Sequence, residues 1–298
     1  IGDIEQLPSV GAGKLLNDII SSNVVPVVKL NVIKRQMETS GIVFNANRII
    51  NGETMTSNGN QKDFYIIEEN NERKIVSKII KSIERLSGKN YPFSLDDIQV
   101  ICPQKLTFIG THELNNHIQL MFNPPDSDKR EISKGKIKFR IGDRVIHLNN
   151  NYDARHYKSS ENGNYVLLES TGVFNGEIGK IIDIFKSNDN DEEDNGGARI
   201  AVQYDGFIII YKKYELKNID LAYALTVHKM QGSQCKVAII PIHMRNKIML
   251  YRNLAYTAIT RASDMVCVIG QSMSISYMAK NNIIKERNSM LSHLLETM

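Results

Sequence analysis

Between Arg73 and Leu86 the apolar residues Ile75, Val76, Ile79, Ile80, Ile83 and Leu86 return at helical spacing, which predicts an amphipathic helix. Ile98 to Cys102 then reads as a short buried strand, and about His112 to Phe122 as another helix. Nearer the start, Asn17 to Ser22 completes a short helix. Val24 to Leu30 is a β-branched run interrupted by Pro26, as expected near a strand start, with Arg35 after it. Late in the chain, Val237 to Pro241 predicts a strand, Ile248 to Arg261 a helix and Met265 to Ile269 a second strand. Two such strands joined by a helix pair in parallel.

From Lys134 to Tyr214 the pattern changes to short strands and turns. Lys136, Lys138 and Arg140 alternate with Ile137, Phe139 and Ile141, predicting one basic and one apolar strand face. Strands near 180–185 and 199–204 flank Ser187 to Gly197, a tract too polar to pack that reads as a hairpin loop. The tract partly mimics a calcium loop, but Glu193 stands where Asp or Asn is usual and Val202 where the bidentate Glu belongs, so calcium is not expected there. The economical architecture is α/β: a parallel-sheet domain from about 60–125 and 216–275, with a small β domain at 130–215 inserted between its halves. Residues 1–50 precede it, and 276–298 form a tail with a terminal helix.

Composition alters this picture little. The 298 residues carry a formal charge of +4 and a pI near 8.8, compatible with a phosphate-bearing partner but equally with many other proteins. Three cysteines without CxxC spacing favour reduced thiols over disulfides or zinc, so a cytoplasmic setting is expected. No apolar run approaches the roughly 20 residues that cross a bilayer, and no membrane partner is expected.

The densest chemistry lies late in the chain, in Ala224-Leu225-Thr226-Val227-His228-Lys229-Met230-Gln231-Gly232-Ser233 and Tyr256-Thr257-Ala258-Ile259-Thr260-Arg261-Ala262. Read plainly, Thr226 is a helix cap, His228 and Lys229 are polar helix positions, and Arg261 is a cation in a helix's last turn. Arg35 is a surface arginine after a strand, and Lys136, Lys138 and Arg140 protect a strand edge. Phosphoryl transfer needs donors around the phosphates, a metal-holding carboxylate and cations for the developing charge. The phosphate-cradling pattern GxxxxGK[ST] is absent from these residues: Gly13-Lys14, Gly88-Lys89, Gly135-Lys136 and Gly179-Lys180 all fail it.

As a pair, the two segments resemble motifs V and VI of superfamily 1 helicases. Gly2-Asp3-Ile4-Glu5-Gln6-Leu7-Pro8-Ser9-Val10-Gly11 is similar to motif III of RecD-like helicases of superfamily 1B, the exodeoxyribonuclease V alpha-subunit type. Arg35-Gln36 resembles the end of their motif IV. The resemblance implies a RecA-like, P-loop NTPase-type parallel-sheet domain with an inserted SH3-like β-barrel, preceded at 1–50 by a remnant of the first RecA-like domain. By resemblance Gln6 senses the γ-phosphate, Arg35 and Arg261 are cationic contacts, and Gln231, Gly232 and Gln234 approach the nucleotide. Gln234 stands where many relatives have Glu.

Thr226 and His228 face single-stranded DNA in the same reading. Ile101-Cys102-Pro103-Gln104-Lys105 is similar to the family's DNA-facing segment, which assigns Pro103 and Lys105 to DNA. Phe139 to Val145, Asn150-Asn151-Tyr152-Asp153 and Val173-Phe174-Asn175-Gly176-Glu177-Ile178-Gly179 resemble its barrel, which implies phosphate contacts from Lys136, Lys138 and Arg140 and a DNA contact from Asn175. The expected protein is the C-terminal part of an ATP- and Mg2+-dependent 5′→3′ helicase acting in DNA repair or recombination. Its expected partners are single-stranded DNA and nuclease or helicase subunits, with no Mg2+ ligands in this chain. Two rival readings are the helicase half of a conjugative relaxase and a non-catalytic DNA-binding module on the same scaffold.

Overall fold

The computed structural model describes residues 1–8, 11, 13–29, 40–57, 61–160, 162–186, 197–282 and 289–297. The chain divides into two compact units, one of residues 1–111 and 225–298 and the other of residues 112–224. In chain order the elements are α1 (Leu15–Ser22), α2 (Gly41–Ile50), β1 (Phe64–Glu68), α3 (Glu72–Leu86), β2 (Ile98–Cys102) and α4 (Thr111–Phe122). The next are β3 (Glu131–Lys134), β4 (Ile137–Arg140), β5 (Arg144–His147), β6 (Asn151–Ser159), β7 (Tyr165–Val173) and β8 (Ile178–Lys186). β9 (Ala198–Gln203), β10 (Ile208–Lys212), β11 (Ile219–Leu221) and β12 (Ala224–Thr226) follow. The last are β13 (Cys235–Ile242), α5 (Arg252–Ile259), β14 (Ala262–Gly270), α6 (Ser272–Lys280) and α7 (Leu291–Thr297).

The first unit is built on a five-stranded sheet of order β1-β14-β13-β2-β12. β1 with β14, β14 with β13, and β13 with β2 all run parallel. Strands buried on both faces need near-continuous apolar sequence. β13 meets this from Val237 to Ile242 and β14 from Met265 to Gly270, all of them buried. Gly270 is required by packing: a Cβ there would stand 1.8 Å from the Ile242 carbonyl oxygen. α3 buries Ile75, Val76, Ile79, Ile83 and Leu86, and Asn71 Oδ1 caps it by accepting from the backbone N–H groups of Arg73 and Lys74 at 3.0 and 3.3 Å. α2 packs on α5 within the same unit, so residues 41–50 are part of the sheet unit.

Two expectations change. Val24 to Lys29 is not a strand; Val24, Val25, Val27 and Val28 are exposed, and among the described residues no strand pairs with them. Leu30 lies outside the described residues. The helix expected over 248–261 begins at Arg252, because His243 caps a separate 3-10 turn at Met244–Met249 and Tyr251 is extended.

The second unit contains a seven-stranded sheet of order β11-β5-β8-β9-β10-β6-β7, antiparallel throughout, and a separate β3–β4 hairpin. Register breaks in β6–β7 and β8–β9 bend the sheet, as bulges do. Its core includes Val145, Ile146, Val173, Ile181, Ile200, Val202 and Ile219. β8 and β9 flank the polar tract 187–196, which lies outside the described residues. Asn115 on α4 closes the unit's two ends: its Nδ2 donates to the carbonyls of Leu221 and Ala224 at 3.1 and 3.0 Å, and its Oδ1 accepts from Ala224 N–H at 2.8 Å.

Candidate functional site

In the first unit the N-terminal segment lies against α5 through a run of polar contacts. Asn253 Nδ2 donates to Glu5 O at 2.8 Å, and the fully buried Thr257 hydroxyl accepts from Leu7 N–H at 2.8 Å. Asn253, Tyr256, Thr257 and Thr260 recur at helical spacing, so they share one face of α5. Asp3 takes hydrogen bonds at one carboxylate oxygen from the Tyr256 hydroxyl, 3.1 Å, and from Gln6 Nε2, 2.9 Å. Burial, with the Asp3 carboxylate behind it, pushes the Tyr256 phenol well above its ordinary value. It stays a neutral donor.

Gln6 is held at both ends of its amide. Its Oε1 accepts from Arg261 Nη2 at 3.0 Å while its Nε2 donates to Asp3. Arg261 is 6% exposed, and it also donates through Nε to Thr257 O and through Nη1 to Ser233 O, both at 3.3 Å. A buried guanidinium needs such acceptors. From the other side, Gln231 Nε2 donates to Leu7 O at 3.0 Å and Pro8 O at 3.3 Å. Gly232 turns the chain there with φ +81°, a conformation that disfavours any side chain. Gln6, Arg261 and Gln231, drawn from three separated segments, therefore meet. Gln234 is exposed nearby in sequence, and Arg35 lies outside the described residues.

The roles of Asp3, Asn253, Tyr256 and Thr257 in holding Gln6 were missed by sequence reading. Polar residues on one face of a helix that is otherwise apolar were the available signal. Among the described residues no group of three or more His, Cys, Asp or Glu is placed to hold a metal.

The residues expected to face DNA in this unit have mixed surroundings. Thr226 is buried, and its hydroxyl caps the 3-10 turn Val227–Met230 by accepting from Lys229 N–H at 3.3 Å. His228 is exposed at its surface, with partial desolvation lowering its imidazole below the ordinary value. Pro103 is buried, so its ring is not available at the surface. Lys105 is exposed in the loop that ends at Gly110, where a Cβ would stand 2.4 Å from the Lys105 carbonyl oxygen.

The basic strand of the second unit differs from expectation. Lys136 lies in the turn before β4, and only Lys138 projects from the strand as an exposed cation, 3.5 Å from Glu131. Arg140 is 3% exposed; its Nε donates to Glu131 Oε1 and its Nη1 to Asn123 O at 3.2 Å. The Arg140 guanidinium holds the Glu131 carboxyl below the usual carboxylate range. Arg140 shares a face with Lys138 as alternation requires, but it sits opposite Glu131 at the end of the hairpin, where an internal pair neutralises and buries it. Asn175 is exposed, and its N–H donates to Asn150 Oδ1 at 3.0 Å.

Comparison with known proteins places these units. Residues 114–204 match the family model of the ATP-dependent RecD-like DNA helicase SH3 domain, and residues 221–269 that of the UvrD-like helicase C-terminal domain. The ATP-dependent RecD2 DNA helicase of Deinococcus radiodurans is 30% identical over 264 residues, covering 89% of this chain and 31% of that protein. The RecBCD enzyme subunit RecD of Buchnera aphidicola is 27% identical over 191 residues, 64% of this chain and 25% of that protein. The chain thus spans under a third of the length of these relatives. Among solved structures, Pif1 helicase from Candida albicans matches with 14% identity and a TM-score of 0.47, covering 89% of this chain and 59% of that one. The chain therefore carries a RecD-like helicase SH3 domain followed by a UvrD-like helicase C-terminal domain, and is a homologue of the RecD2 DNA helicase and of the RecD subunit.

Proposed function

We propose that in the complete protein the Gln6–Arg261 pair meets the γ-phosphate of ATP and couples its hydrolysis to 5′→3′ movement along single-stranded DNA. The observation that supports this reading is the direct hydrogen bond between Gln6 and Arg261, with Gln231 holding the same segment one and two residues further on. When bound, ATP with Mg2+ supplies the phosphoryl group and the metal that neutralises its charge. Arg261 then has a place at the developing negative charge, and Gln6, anchored by Asp3, sets the guanidinium's direction. Arg35 is the second cation in this reading. Thr226 supports the strand-facing turn by capping it, while His228 and Lys105 meet the DNA. The work of such a motor is in repair or recombination, alone or with nuclease and helicase subunits, in the cytoplasm.

The test is Arg261→Ala in the complete enzyme. ATP turnover should fall by on the order of 10³-fold while single-strand binding is largely kept. Unchanged turnover would make Arg261 a helix-end clamp and nothing more. A non-catalytic scaffold is the second reading, favoured by the burial of Arg261 among protein oxygens. It predicts that the complete protein shows no DNA-stimulated ATP turnover and that Arg261→Ala only lowers the unfolding midpoint. The 298-residue chain by itself, having no GxxxxGK[ST] segment, is expected not to hydrolyse ATP in either reading.

A further inference from the structure

In the first unit, α3 and the turn after it carry a larger net positive charge than the whole chain. Residues 73–89 hold Arg73, Lys74, Lys78, Lys81, Arg85 and Lys89 against one carboxylate, Glu84, while all 298 residues together come to a formal +4. The remainder of the chain is therefore slightly acidic. Lys74, Lys78, Lys81 and Arg85 recur at helical spacing, which sets them within about 60° of one another around the α3 axis and along about 16 Å of it. The buried stripe Ile75, Val76, Ile79, Ile83 and Leu86 points the other way.

Nothing in the fold requires this row. Like charges four residues apart on a helix repel, and Lys74 lies in the first turn, where the helix dipole disfavours a cation. Elsewhere in the unit Arg48, Arg245 and Lys236 each have a carboxylate partner, in Glu53, Glu72 and Asp97. Within the row Lys78 pairs with Glu69 at 3.0 Å, but among the described residues Lys74, Lys81 and Arg85 have no such partner. The row also faces away from the candidate site. The connection through α3 runs from β1 across β14 and β13 to β2, while that through α5 runs back from β13 to β14. Right-handed crossovers in opposite directions put their helices on opposite faces of the sheet, so α3 lies on the far side from α5 and Arg261.

We propose that this face of α3 binds the phosphate backbone of duplex DNA, as a second site separate from the single-strand path. None of the large hydrophobic side chains between Arg73 and Lys89 is exposed, so the face lacks the apolar anchors on which protein partners depend. It also lacks a ring for stacking an unpaired base, because the ring beside it, Tyr91, lies under Arg85 with the guanidinium 5.9 Å from its centroid. Charge alone is left. A duplex suits recognition by charge alone: its bases are turned inward, and it presents one phosphate per about 1.7 Å of axis. Cations fixed along a straight helix meet that stiff line with little freedom to lose. The inference goes beyond the single-strand reading and does not depend on it.

The experiment titrates the full chain against a labelled blunt duplex and an oligo(dT) strand of the same length over a range of salt. Lys74→Gln, Lys81→Gln and Arg85→Gln together should reduce the duplex slope of log K against log salt by up to about 2.7, at about 0.9 per lost phosphate contact, and leave the oligo(dT) slope unchanged. Lys74→Arg with Lys81→Arg should keep the wild-type slope. So should Lys247→Gln with Lys280→Gln, which removes two exposed cations outside the row. Glutamine matches lysine in helix propensity and relieves the repulsion, so the triple variant should melt no lower than wild type, separating lost binding from lost fold. An unchanged duplex slope in the triple variant, or a wild-type chain that binds oligo(dT) but no duplex, overturns the proposal and leaves the single-strand reading intact. Equal loss of slope with both nucleic acids overturns it too, by giving the face to the single strand. A poly-glutamate peptide held by wild type and not by the triple variant, with the duplex slope unchanged, gives the face to an acidic protein instead. A chain that binds neither nucleic acid overturns both readings.

Discussion

Lys136, Lys138 and Arg140 are three cations of one short segment with different physical fates. Arg140 is buried against Glu131, so Arg140→Gln should cost about 2 kcal/mol in urea unfolding, less than a wholly buried pair because Glu131 keeps a quarter of its side chain in water. The same substitution should leave the salt dependence of single-strand binding unchanged. Lys136→Gln with Lys138→Gln should do the reverse, reducing the slope of log K against log salt by up to about 1.4, at about 0.7 per lost phosphate contact. An unchanged slope would return these lysines to edge protection. Asp97 shows the pH side of such pairing: the Lys236 ammonium at 2.8 Å, then Ser94, hold its carboxyl down to about 2. A depressed folded value stabilises the fold above the unfolded value near 4, and that stability is lost as pH falls through about 2. Denaturant midpoints between those values should therefore drop more steeply in wild type than in Lys236→Ala.

Among elements, β13 leaves β14 no space for a side chain at Gly270. Gly270→Ala pushes a methyl into the Ile242 backbone, which cannot move as a side-chain tip can, and should destabilise by about 3 kcal/mol or more. Wild-type unfolding midpoints in that variant would show that the strand ends separate freely. Legibility in the sequence followed how local each cause was. α3, β2, α4 and the β13–α5–β14 unit were visible because apolar spacing and length alone specify them. Val24 to Lys29 has the composition of a strand, but a strand needs a neighbour, and composition does not supply one. Arg140 was misjudged since alternation says which side a residue is on, not whether Glu131 waits there. At the candidate site, the motif segments around Gln6, Gln231 and Arg261 were legible one by one. Their meeting was not, because it depends on Asn253 and Thr257 binding backbone some 250 residues away.

For the molecule as a whole, the second unit is one uninterrupted stretch whose ends are clasped by Asn115. Residues 112–224 expressed alone should fold with a cooperative thermal transition, which calorimetry can check, and Asn115→Ala should lower its midpoint by leaving the Ala224 amide without its acceptor. The strand order of the other unit has a consequence in time. β1 and β2 are made early, yet they are not neighbours: β14 and β13 lie between them, and both are translated only after the whole insert. On the ribosome the inserted sheet is therefore complete while the scaffold that carries it is still two separated edge pieces, with the apolar stripe of α3 uncovered. Nascent chains stalled once residue 224 has cleared the ribosomal exit tunnel, with β13 still inside it and β14 unmade or inside, should yield a protease-resistant core confined to 112–224, and this interval is when a chaperone has most to hold.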